Sequence, residues 1–365
     1  MTAPATSRRL GYRPELDGVR GLAVLCIFGF HMAFIWWPIW HVAKGGFLSV
    51  DIFFVLSGML ITEILLNDFE RYGAVNLGSF YQRRARRLLP ALVAFVVVSV
   101  LWYQVVHGTG GQILRGVASV ITYVASGQFA TSVHNPPGVG QMWTLVVEWI
   151  FYFTWPLVLV LLLRSGRSIR TIGYVAAAGA LAAALVRAVT YHRDPNYVLS
   201  YHLSWLRFED LLAGSAIGLL GGRPQAPSWL RTGGLAFLVF GTAYASISAE
   251  WVYAVGMLLA ALATAVIVQP REQPWWFDRV LRWPPVVWIG TVSYSFYLWS
   301  VFTVSEVSHN LNSWPTAIQL ALATVLSFVL AWASYTFIEN PLRVRSRRSA
   351  VPTGVSTGDR PSRRR

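Results

Sequence analysis

Charge and sulfur are both scarce in this chain. Only 13% of its 365 residues are charged, against 55% hydrophobic, and the mean hydropathy is +0.49. A soluble globular domain carries about 25% charged residues, so a chain this apolar could not cover its own surface in water. The single cysteine, Cys26, excludes an intrachain disulfide and any CxxC metal or redox pair. It reads as a small packing residue in an apolar run. The seven histidines show no HExxH or other zinc spacing, so no metal site is expected. A GxSxG elbow, a Walker loop and a helix-opening GxGxxG are also missing. No internal repeat of the transporter kind is visible.

What is present is a succession of apolar runs, each near the roughly 20 residues that a membrane-spanning helix needs. The expected class is all-α: a polytopic membrane bundle of about ten transmembrane helices. The spans are placed at 18–38, 46–66, 88–107, 142–163, 171–189, 206–221, 233–248, 251–268, 286–306 and 316–338. The sixth and seventh are short and Gly-rich. Segment 113–133 is apolar too, but it carries Arg115, Gly116 and Gly127 and runs into Asn135-Pro136-Pro137. It is expected to be re-entrant or interfacial, held against protein where irregular backbone is tolerated. The first span follows a basic leader (Arg8, Arg9, Arg13) without a small-x-small cleavage site, so it reads as a retained helix and not a signal peptide. The expected organisation is a leader over 1–17, a membrane domain over 18–340 and a disordered basic tail over 341–365, with no soluble catalytic domain attached.

Cations concentrate on the cytoplasmic side of short loops. With ten spans and an inside N-terminus, the outside segments hold five cations: Lys44, Arg115, Arg187, Arg193 and Arg207. The other 25 of the 30 fall inside, which places both termini in the cytoplasm. The net charge of +14 and the pI near 10.4 follow from this bias and from an Arg-rich tail facing anionic headgroups. The lipid bilayer is thus the implied partner, and nucleic acid is not.

Polar groups inside apolar spans are costly and point to function. Arg20 and His31 are eleven residues apart, about 16 Å along one helix face. The second span brings Asp51 and Ser57-Gly58, and the fourth brings Glu148 with Thr144 and Tyr152 one turn away on either side. A basic cluster, Arg83, Arg84, Arg86 and Arg87, precedes the third span. Solvation near an interface would account equally well for Asp51 and Glu63, and a topology signal for the arginines.

Taken together, these segments resemble the acyltransferase-3 family of membrane O-acyltransferases. The matching stretches are ELDGVRGLAV (15–24) through His31, GGFLSVDIFFVLSGMLIT (45–62) and FYQRRARRLLPA (80–91). WTLVVEWIFY (143–152), SYSFYLW (293–299) and FIENPLR (337–343) complete the set. Six motifs in order over roughly 12–343 are specific where any one alone is not. The resemblance implies transfer of an acyl group, often acetyl, from cytoplasmic acyl-CoA to a hydroxyl, commonly of a cell-surface sugar. It carries the family's paired Arg and His onto Arg20 and His31, its basic motif onto the Arg84 and Arg87 region, and its carboxylates onto Glu148 and Glu339. Thr144, Trp149 and Ser300 depart from the usual pattern and bear on acceptor identity.

The chemistry suits these residues. Imidazole, with a reference pKa near 6.5, can take the hydroxyl proton as the oxygen attacks a thioester. His31 is therefore the expected base, Glu148 its orienting carboxylate, and Arg20 a further catalytic cation. Arg83, Arg84 and Arg87 are expected to hold the phosphates of acetyl-CoA or another acyl-CoA through forked hydrogen bonds. Asp51, Trp143, Tyr152, Tyr297 and Glu339 are the expected contacts to a sugar-containing acceptor. A proton-coupled transporter would also place His, Glu and Arg inside helices. A non-catalytic polysaccharide-assembly partner would keep the fold yet tolerate loss of His31.

Overall fold

A computed structural model describes residues 11–36, 43–126, 138–202, 204–221 and 225–342, in which all regular structure is helical. In chain order the helices are α1 (Pro14–Ile35), α2 (Ser49–Tyr72), α3 (Leu77–His107), α4 (Gly110–Ser126), α5 (Trp143–Arg164), α6 (Ile169–Arg193) and α7 (Tyr197–His202). They continue with α8 (Phe208–Leu220), α9 (Ser228–Tyr244), α10 (Met257–Val268), α11 (Asp278–Leu281), α12 (Pro284–Thr291), α13 (Ser293–Asn310) and α14 (Thr316–Ser334). A π-helical turn precedes α10 and another, Tyr335–Glu339, follows α14.

Each of the ten expected spans coincides with a helix. Six are long and apolar enough to cross a membrane, and a seventh arises if α12 and α13, bent by 75° at Val292, form one broken span. The remaining three are shorter: α8 has 13 residues, α9 has 17, and Val252–Val268 is a short apolar helix. The segment expected to be irregular is helical as far as Ser126, as α4, while residues 127–137 lie outside the described residues. So do 1–10 and 343–365, which hold most of the expected leader and tail. Pro14 at the first turn starts α1 four residues before the expected span, since proline fits there without losing a hydrogen bond.

The basic cluster corrects a second expectation. It does not precede the third helix but belongs to it, because α3 runs for 31 residues from Asn76, whose side chain accepts from the Ser79 amide at 2.9 Å. Pro90 is absorbed inside the helix, as membrane helices allow. Arg84 and Arg87, three residues apart, consequently share a face.

Helix contact relies on small residues, as expected where lipid offers no hydrophobic contrast. At the α2–α8 crossing, a Cβ on Gly58 would collide with the Leu211 carbonyl, and one on Gly214 with the Val55 carbonyl. Beside that crossing lies a buried charge network. Arg187 forks onto Glu209 at 3.0 Å through both Nε and NH2, and also donates to the Tyr253 carbonyl. Arg207 lies 3.2 Å from Asp51 and 3.3 Å from Asp210, with the Tyr201 and Phe54 rings 5.1 and 5.4 Å away. All five charged side chains are fully buried. The charge count places Arg187 and Arg207 in outside segments and Arg231 in an inside one. Arg231 is buried as well and donates to the carbonyls of Val266, Ile267 and Gln269. These three arginines are held by internal partners and do not report which side of the membrane they face.

Candidate active site

α1, α2, α3, α5 and α13 enclose a narrow cavity of about 100 Å³. At one end Arg20, Arg84 and Arg87 line it. They face one carboxylate, Glu148, while Asp17, 3.2 Å from Arg20, offsets one guanidinium. Three guanidinium groups thus gather at that end.

Glu148 ends a directed chain of hydroxyls. Tyr152 Oη donates to Ser57 Oγ at 3.3 Å, and Ser57 donates to Glu148 Oε1 at 2.6 Å. The Arg84 guanidinium sits 5.7 Å from the Tyr152 ring and 5.8 Å from Phe80, so aromatic faces and charge fix its place. Deeper in, Thr144 donates to Tyr297 at 3.0 Å, and Tyr297 donates to the Gln141 carbonyl at 3.0 Å. Tyr294 donates to the Leu88 carbonyl at 2.9 Å, tying α13 to α3. The lining is anchored by hydrogen bonds from four helices before any ligand arrives.

Six of the expected residues meet here: Arg20, Arg84, Arg87, Glu148, Tyr152 and Tyr297. The others are elsewhere. Arg83 turns from the cavity to pair with Asp68 at 3.1 Å. Asp51 belongs to the Arg207 network, fully buried 3.2 Å from that guanidinium. Trp143 packs on Tyr201 and His202, with ring centroids 5.1 and 4.8 Å away. Glu339 is buried and accepts from Ser295 at 3.2 Å.

Among the described residues His31 Nδ1 makes no hydrogen bond to Glu148, the expected orienting carboxylate, whose Oε1 accepts from Ser57. The His31 Nδ1 is buried without a hydrogen-bond partner, and its ring packs 5.6 Å from Phe30. It lies on α1 eleven residues beyond Arg20, deeper in the bundle than the cavity's arginines. In the sequence Ser57 stands out only as one half of a Ser-Gly pair. Its role as the contact of Glu148 depends on the packing of α2 against α5, which no spacing along the chain reports.

A family of acyltransferase domains matches residues 13–336. The chain belongs to that acyltransferase family. Curated relatives agree: the peptidoglycan O-acetyltransferase OatA of Listeria monocytogenes is 32% identical over 91% of this chain and 56% of its own length. The putative peptidoglycan O-acetyltransferase YrhL of Bacillus subtilis is 32% identical over 93% and 56%. A putative O-acetyltransferase of Staphylococcus aureus is 29% identical over 92% and 58%. The chain thus spans little more than half the length of these relatives. No solved structure matches it. With six or seven helices among the described residues long and apolar enough to cross a bilayer, it is a multi-pass protein of the cell membrane.

Proposed function

We propose that this chain moves an acetyl or other acyl group from cytoplasmic acyl-CoA to a hydroxyl of a cell-envelope carbohydrate. The observation that carries this reading is the convergence of Arg20, Arg84 and Arg87 on one small cavity that also holds Glu148 and its bonded hydroxyls. A cationic mouth suits the phosphates of CoA, because guanidinium forks match phosphate oxygens. About 100 Å³ is small beside the 300–1,000 Å³ of ordinary ligand pockets. It admits an acyl thioester tip while the nucleotide stays at the arginine end. That end is cytoplasmic if all ten helical positions cross the membrane with both termini inside, which the bias of the remaining loop cations favours.

In this reading His31 takes the hydroxyl proton as the acceptor oxygen attacks the thioester carbonyl. The C–S bond breaks and the thiolate leaves, to be protonated as CoA. A base needs a lone pair not committed elsewhere, and in the tautomer protonated at Nε2 the unpartnered Nδ1 of His31 supplies it. Glu148, through Ser57 and Tyr152, shapes the donor end. The names of the relatives make a cell-wall glycan the first acceptor to try.

The test is transfer from labelled acetyl-CoA in membrane vesicles, with mass spectrometry of the glycan fraction from a deletion strain and its complemented forms. General-base catalysis contributes about 10²–10⁴-fold, so His31→Gln should lose that much while membrane abundance and CoA binding persist. A His31→Gln protein that keeps most of its transfer at neutral pH sinks the mechanism. Wild-type protein that moves a substrate across the membrane without consuming acyl-CoA establishes the transporter reading instead.

A further inference from the structure

A second cavity, about 690 Å³, lies at the end of the bundle opposite Arg84, where α1, α3 and α13 end and α4 and α14 begin. We propose that it is the acceptor site and that it binds an uncharged saccharide. The inference rests on the transferase reading above and adds to it the place and chemistry of the second substrate.

Its volume falls within the ordinary range for small-molecule sites and is several times that of the arginine cavity. Its polar lining is mostly imidazole and amide: His107 and His309, with Gln112, Asn312 and Gln319. Among the described residues no Arg or Lys lines it. The lone carboxylate, Glu306, is already engaged. It accepts from Trp102 Nε1 at 2.6 Å and Asn310 Nδ2 at 3.1 Å, and lies 3.3 Å from His107 Nε2. Such a site lacks a guanidinium or ammonium to pair with an anion and offers many donors and acceptors to a ring of hydroxyls. Trp36 and Tyr103 add aromatic surface for the apolar face of a pyranose. The Trp36 indole is held by Gln319 Oε1 at 2.8 Å, and Gln319 is held in turn by the Trp314 carbonyl at 2.8 Å. The site is built before it is filled.

Three helices run from one cavity to the other. On α1, Arg20 lines the first and Ile35 the second; on α3, Leu88 and Tyr103; on α13, Tyr297 and Ser305. Between those pairs lie His31, Ser99 and Trp299, and each carries a buried polar atom without a hydrogen-bond partner: Nδ1, Oγ and Nε1. Buried polar groups are normally satisfied. Three unsatisfied ones on three helices mark the partition between the cavities as the place where a polar group is received. The two cavities therefore read as two ends of one reaction path.

The test uses the full chain purified in detergent, with cellotetraose, maltotetraose and tetra-N-acetylchitotetraose as probes and tryptophan fluorescence as the readout. CoA binding is measured separately. At least one saccharide should bind saturably, and His107→Phe and Gln319→Leu should weaken it by about tenfold or more, with CoA affinity unchanged. Asn312→Trp, which fills the cavity from an exposed position, guards against loss of fold in the other two. No binding of any saccharide overturns the proposal. So does transfer whose acceptor KM is unmoved in all three variants, and that result leaves the transferase reading standing. Saccharide binding that the variants abolish, in a protein that transfers nothing from acetyl-CoA, supports the cavity assignment and overturns the reaction instead.

Discussion

Replacing Arg207 by Met separates a structural role for Asp51 from a role in binding substrate. Arg207 is fully buried with Asp51 at 3.2 Å and Asp210 at 3.3 Å, and both carboxylates are fully buried too. Methionine fills much of the volume but leaves two carboxylates facing each other without their nearest counter-charge. Removing one partner of a buried ion pair costs about 3–5 kcal/mol. At 1.4 kcal/mol per tenfold, that moves the folding equilibrium by a factor of roughly 10² to 10⁴. Thermal unfolding in detergent, followed by size-exclusion of the soluble fraction, should show a sharp loss for Arg207→Met. Arg207→Met combined with Asp51→Asn and Asp210→Asn should recover much of it, because neutral amides no longer demand the guanidinium. Asp51→Asn alone should lower stability with transfer per folded molecule preserved. If Asp51→Asn instead unfolds at the wild-type temperature and has lost acyl transfer, the network is not a packing device and Asp51 belongs to the site.

Two further outcomes follow from the cationic cavity and from its placement. Arg84→Gln with Arg87→Gln removes two charge-assisted contacts worth about 1.5–3 kcal/mol each, so acyl-CoA should bind about 10²–10⁴-fold more weakly to a protein that still inserts; unchanged affinity in detergent would confine these arginines to topology. Reporters at Gly73 and after Arg365 should both read cytoplasm and one at Thr109 the outside, and opposite signals from the first two would reject an even number of spans.

The arginine end of the cavity was legible because a charge inside an apolar run stands out. Arg20 and Glu148 each interrupt an otherwise hydrophobic helix, and Tyr152 lies one turn from Glu148. The partners were not legible. Ser57 meets Glu148 only because α2 and α5 pack together, and Asp51 meets Arg207 only because Gly58 and Gly214 let α2 and α8 approach closely. Pro90 read as a boundary, yet it stands within α3, since arginine is a good helix former and the cluster simply continues the helix. The second cavity was hidden for a different reason. His107, Glu306 and Gln319 sit near helix ends, where polar residues are ordinary, and only their convergence distinguishes them.

The lack of a hydrogen bond between His31 Nδ1 and Glu148 changes what a double mutant should show. Had the carboxylate oriented the imidazole directly, the two would act as one unit, and losing both would cost little more than losing His31. In the structure they share no hydrogen-bond partner: Glu148 accepts from Ser57, while His31 Nδ1 has none. Groups without shared partners contribute nearly independently, within about 0.3–0.5 kcal/mol when well separated. His31→Gln removes the proton acceptor, whereas Glu148→Gln keeps the shape of the donor end but removes the charge on which the Tyr152–Ser57 chain ends. The logarithmic losses of the single variants should therefore sum in the double variant, measured as initial rates of acyl transfer at saturating acetyl-CoA. Where the sum falls below the detection limit, an acceptor held well above its KM extends the range. A double variant no worse than His31→Gln would mean that the two groups meet during turnover. The resting geometry would then precede a rearrangement of α1 against α5 that brings imidazole and carboxylate together.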